Sequence, residues 1–177
     1  MFLYIYLFYF VTALVKGDCP KLFTGIGENC YYFSVDNDEQ HTWEQSREFC
    51  KNLGDLQEVT TDLAVFDFSG QTASEEDELM QAIAKREDVN AVINDRDVWI
   101  GAKINNEGGP FRWVQSNKEL SYLYSHWHPD RPSTSSTITD CLTVWVYANK
   151  YNHAHKRGYF SDAPCNSARH FVCQVFE

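Results

Sequence analysis

The sequence predicts an α+β domain, with two helices early in the chain and then a twisted antiparallel sheet carrying a long loop region. Three observations lead there. Helix caps followed by amphipathic spacing occur at Thr42 and at Ser74. From Val98 onward, short apolar runs alternate with Gly, Pro and Asn turns. Six cysteines, an even number, lie behind an apolar leader and imply a disulfide framework in an oxidising compartment.

The chain has 177 residues, 44% of them apolar, which suits one globular domain. Phe2 to Val15 is apolar except for Thr12. This run of 14 residues is too short to span a bilayer but suits the core of a secretory signal. Small residues near Gly17 permit cleavage there, although no basic residue precedes the run. A buried N-terminal strand is the other reading. Residues 1–17 are therefore expected to be a signal peptide and 18–177 the domain, secreted and extracellular. Without Lys16 the 15 Lys and Arg fall to 14, against 25 Asp and Glu, so the mature charge is −11. Such a balance argues against nucleic acid and anionic membranes as partners. No Asn-x-Ser/Thr sequon occurs, and no other apolar run approaches membrane-spanning length.

Gly25, Gly27 and Asn29 are expected in turns before a strand at Cys30 to Phe33. Thr42 and Gln45 form a capping box for a helix whose Trp43, Phe49, Cys50 and Leu53 share a face, with Gly54 as its stop. Asp62 to Phe68 reads as a short buried strand. Ser74 caps a second helix, with Glu75, Glu76 and Asp77 at its positive end and Lys85-Arg86 at its close. Helix capping explains this acidic cluster more simply than a metal site does. Strands are then expected at Val98–Ile104, Phe111–Val114, Cys141–Tyr147, Tyr159-Phe160 and His170–Val175. The five tryptophans are read first as packing residues, with sugar stacking as the alternative.

The strongest local signal is His126-Trp127-His128-Pro129-Asp130-Arg131-Pro132-Ser133, with Asp140-Cys141 shortly after. Two nearby prolines exclude helix and interior strand. A run of hydroxyl residues, Ser133 to Thr137, follows. The stretch reads as an exposed loop stiffened by proline and tied at its base, the usual setting for binding residues. His126 with His128, and His153 with His155, could place imidazoles for zinc, though histidine in a wet loop is commoner.

Taken in order, the landmarks are Cys19-Pro20, Gly27-x-x-Cys30-Tyr31, Trp43 with Cys50, Trp99-Ile100-Gly101, Phe111-x-Trp113, Trp127-x-Pro129, Asp140-Cys141, Asp162-x-x-Cys165 and Phe171-Val172-Cys173. This series resembles the C-type lectin domain in its long form, of the secreted single-domain type, over essentially all of Cys19 to Glu177. The resemblance implies the C-type lectin-like fold with three disulfides: Cys19–Cys30, Cys50–Cys173 and Cys141–Cys165. Counting alone leaves the pairing open. Closing the loop of about 120 residues between Cys50 and Cys173 would contribute roughly 4–5 kcal/mol on the chain-entropy model.

Lectins of this family hold Ca²⁺ through a Glu-Pro-Asn or Gln-Pro-Asp triplet with a cis proline, a Glu two before the next cysteine, and an Asn-Asp pair before the following one. Here the triplet falls on Arg131-Pro132-Ser133, the Glu position is Thr139, and the pair is Ser161-Asp162. A register using His128-Pro129-Asp130 is the rival. Calcium wants six to eight oxygens, several of them anionic, and Arg131 supplies none. At about 4 Å and an effective dielectric near 20, its charge would repel the ion by roughly 8 kcal/mol unless the side chain swings aside. No sugar-bridging calcium is expected, and no cofactor is assigned. Asp140 and Asp162 remain the candidate metal ligands for a secondary calcium site.

Asp130, Arg131, Pro132, Ser133 and Asp162 are the candidate carbohydrate-binding residues. Arg131 could hydrogen-bond sugar hydroxyls or an acidic glycan directly, or simply pair with a neighbouring acid. The expected function is carbohydrate recognition on microbial or cell surfaces, in innate defence. The alternative is a lectin-like protein that binds a protein partner without calcium or sugar. An enzyme is disfavoured: no nucleophile elbow, His-Glu-x-x-His or phosphate loop occurs, and no thiol is left over.

Overall fold

The computed structural model describes residues 19–34, 39–66, 97–106, 108–120, 127–128, 130–133, 140–146 and 158–176. The expected signal peptide and the helix from Ser74 lie outside them.

The described strands form two four-stranded antiparallel sheets where the sequence suggested one. In chain order they are β1 (Thr24–Ile26), β2 (Asn29–Phe33), β3 (Thr60–Leu63), β4 (Asp97–Ile104), β5 (Phe111–Trp113), β6 (Asp140–Val146), β7 (Gly158–Pro164) and β8 (Val172–Phe176). The first sheet runs β1-β2-β8-β3 and the second β5-β4-β6-β7. Alternating hydrophobicity tells which face a residue takes but not which strand it pairs with, so the division is not readable from pattern. Backbone bonds join the sheets: Trp99 N–H donates to His170 O, and Gly101 N–H to Ala64 O, both at 2.8 Å. A Cβ on Gly101 would lie 2.6 Å from Leu63 O, so only glycine lets β4 approach there.

Helix α1 (Trp43–Asp55) begins as its sequence dictates. Gln45 N–H donates to Thr42 Oγ1 at 3.4 Å, and Thr42 N–H donates to Gln45 Oε1 at 3.0 Å, which closes the capping box. Trp43, Ser46, Cys50 and Leu53 are buried along one face. Gly54, expected as the stop, sits inside the last turn, and Leu56 caps the helix in a right-handed conformation. A Cβ at Gly54 would lie 2.6 Å from Val59 O, so its role is close packing. Gly25 likewise lies within strand β1; the turn is made by Gly27 and Glu28, with Gly27 at φ +58°. The strand expected at 62–68 starts and ends earlier, at Thr60 and Leu63.

All three disulfides join the residues that the resemblance implied, and no described cysteine is free. Strand β4 divides two cores. Val98, Ile100, Ala102 and Ile104 pack with Phe66, Phe111, Trp113, Leu142 and Phe160, whereas Trp99 packs with Trp43, Leu63, Phe171 and Cys173 beneath α1. Both faces of one strand are thus covered, and a continuous apolar run suits that setting. Trp43, Trp99 and Trp113 are fully buried, as the packing reading expected. In the first core the Tyr31 phenol is desolvated, which pushes its pKa up from 10.0 to about 12.

Candidate functional site

The site forms where the segment carrying Trp127 to Ser133 lies against β7. Trp127 is half-buried, with its ring 5.6 Å from that of Phe111 and 6.1 Å from that of Phe160. The two prolines prevent this segment from becoming a regular strand, and it touches β7 at single points. Trp127 makes one parallel bridge with Phe160, and His128 N–H donates to Phe160 O at 2.9 Å. The chain then turns. Arg131 N–H returns to His128 O at 2.9 Å, Asp130 takes φ +67°, and the Arg131-Pro132 peptide is cis.

After the turn, two residues converge on Asp162. Ser133 N–H donates to both carboxylate oxygens, at 3.0 and 3.1 Å. Arg131 Nη1 donates to Oδ1 and also to the Asp162 carbonyl, each at 3.2 Å. The Asp162 side chain is 2% exposed and that of Arg131 41%. A carboxylate so far from water needs charge and hydrogen-bond partners, and the loop supplies both. The Asp162 oxygens are therefore committed inside the protein. Among the described residues Arg131 is held through Nη1, and Nε and Nη2 have no partner there.

The structure thus brings Arg131, Pro132, Ser133 and Asp162 together. Asp130 is exposed in the turn and is not among Asp162's partners. Asp140, the other candidate metal ligand, is buried at the start of β6 opposite Pro164, two register positions from the Leu142–Asp162 pair. Ser161 is buried within β7. Among the described residues, no three His, Cys, Asp or Glu side chains converge as metal ligands. Of the His-x-His residues only His128 is described; His126, His153 and His155 lie outside the described residues, as does Thr139.

One feature escaped the sequence reading. Arg47 on α1 forms a bidentate pair with Asp62 on β3, with contacts from 2.9 to 3.1 Å. An arginine on a helical stripe and an acid inside a strand give no signal that they meet.

Residues 39–175 match the family model described as the lectin C-type domain. A perlucin-like protein of Mytilus galloprovincialis is 28% identical over 150 residues, which cover 82% of each chain. The low affinity immunoglobulin epsilon Fc receptor of Mus musculus is also 28% identical; the match covers 89% of this chain but 39% of the receptor. The lectin domain of murine dendritic cell inhibitory receptor 2, solved with N-glycan, superposes with a TM-score of 0.60 at 20% identity, over 90% of this chain and all of that one.

Proposed function

This chain belongs to the C-type lectin domain family, and from that premise we propose that it is a secreted carbohydrate-recognition protein whose loop is tied by Arg131 rather than by calcium. One observation carries the reading: the guanidinium is fixed to Asp162 through Nη1, its side chain is 41% exposed, and among the described residues its Nε and Nη2 meet no partner. The positive charge that the family draws from a metal comes here from a side chain. The Nε and Nη2 groups can donate to sugar hydroxyls, and better still to a carboxylate or sulfate on a glycan. Asp130, exposed one residue before, is an acceptor for hydroxyls. A murine lectin domain of the same fold was solved with N-glycan, and the perlucin-like relative is matched over 82% of its length. That kinship supports recognition of microbial or cell surfaces in innate defence. The domain is taken to run from 18 to 177 behind a signal peptide, and no helix among the described residues is long and apolar enough to cross a membrane. The chemistry is binding, not catalysis.

A second reading is a protein partner engaged by the same loop, without calcium or sugar. It is favoured by the likeness to a receptor named for an immunoglobulin. A glycan array probed with and without EDTA separates the two. Binding that survives EDTA and is lost in Arg131→Ala supports direct recognition by the guanidinium. Binding abolished by EDTA overturns it and restores a metal, and no glycan binding at all favours the protein partner.

A further inference from the structure

Away from the Arg131 loop, a cavity of about 480 Å³ opens between the later turns of α1, strand β3 and the end of β5. It shares no residue with the Arg131 loop, and its size is that of a small-molecule pocket. Arg47, Lys51 and Asp55 face it from one helical stripe, four residues apart. Val59, Val114 and Phe176 supply its apolar lining.

The chemistry is set by Arg47. Its Nε donates to both oxygens of Asp62, its Nη2 donates to Oδ2, and its Cζ lies 5.9 Å from the centre of the buried Trp43 ring. Asp62 also accepts from Leu63 N–H at 2.8 Å, so its oxygens are occupied. Among the described residues, both N–H groups of Arg47 Nη1 and one of Nη2 have no partner, and a quarter of the side chain is exposed (25%). A guanidinium already locked in orientation loses little freedom on gripping an anion. Lys51, one turn further on and exposed, adds a second cation. Asp55 at the lip limits the total negative charge the site accepts.

We propose that this cavity is a ligand site for a monoanionic organic acid. The carboxylate or sulfate sits between Arg47 and Lys51, and the apolar body lies against Val59, Val114 and Phe176. The test is a titration of the isotope-labelled mature protein with benzoate, followed by amide NMR shifts. Saturable shifts at Arg47, Lys51, Val59, Val114 and Phe176 are expected. Lys51→Gln should weaken binding by about threefold to fivefold, and Asp55→Asn should strengthen it similarly, the scale of one exposed charge pair. Both positions are exposed, so the fold tolerates the changes. Benzyl alcohol, which lacks the charge, and inorganic sulfate, which lacks the apolar body, should each bind more weakly. Scattered or unsaturable shifts, equal affinity in all three proteins, or either control binding as well as benzoate would overturn the proposal.

Discussion

Arg131 Nη1 touches Asp162 twice, 3.2 Å from the carboxylate and 3.2 Å from the carbonyl of the same residue. A single cation therefore serves a buried charge and a strand edge together. Among the described residues, Arg131→Ala leaves the carboxylate with Ser133 N–H as its donor, and a loss of about 1–3 kcal/mol follows from the missing charged donor. Asp162→Asn keeps an acceptor for Ser133 and should cost less than Asp162→Ala. Denaturant unfolding of the three variants checks the order; equal stability across them would contradict it.

The Arg47–Asp62 pair gives a second expectation. Asp62 is nearly buried, with its side chain 9% exposed, so Arg47→Met strands a charge and should cost roughly 2–3 kcal/mol. Replacing both residues by apolar ones should cost less than the single change. A double-mutant cycle on unfolding free energy reads this directly.

Gly101→Ala should destabilise by about 2–3 kcal/mol, because the new methyl meets Leu63 O on a backbone held from both sides. Thermal melts would show it. A melt unchanged from the parent would mean that β4 can move away from Leu63.

Tyr31 sets an alkaline limit. Its pKa in the folded chain is about 12 against 10.0 for an ordinary phenol, so the unfolded chain ionises first as pH rises. The contribution is complete below pH 10 and is lost as pH climbs through about 12, a fall of roughly 3 kcal/mol. Tyr31→Phe should flatten that decline when stability is measured across the range. A decline as steep as in the parent would assign it elsewhere.

The disulfides should differ in weight. Cys50–Cys173 closes a span of 123 residues and Cys19–Cys30 one of 11. On the chain-entropy model their removal as paired Cys→Ala changes costs about 5 and about 3 kcal/mol respectively. Calorimetric melts of the two double variants would test the ranking.

What could be read in the sequence was what depends on neighbours along the chain. The Thr42–Gln45 box needs only four residues, and both its bonds are present. The β4, β5 and β6 boundaries lie within a residue of those expected from short apolar runs set between turns. Contacts between distant residues were readable only through the resemblance, as with the cysteine pairs, or not at all, as with Arg47 and Asp62. Gly54 was mistaken because a glycine near a helix end serves equally as a terminator or as a close-packing site. Arg131 and Asp162 were both singled out, yet spacing does not tell whether a guanidinium seeks a ligand or an internal acid. Here it meets the acid and stays 41% exposed.

Among the described strands β7 ends its sheet, and a terminal strand with idle carbonyls is a template on which another chain can add. The Phe160 and Asp162 carbonyls that point outward are both occupied, one by His128 N–H and the other by Arg131. The loop thus covers carbonyls that a terminal strand would otherwise offer to another chain. An engineered exchange of this loop therefore has to supply donors for both carbonyls, or it leaves an unsealed margin on which another chain can pair.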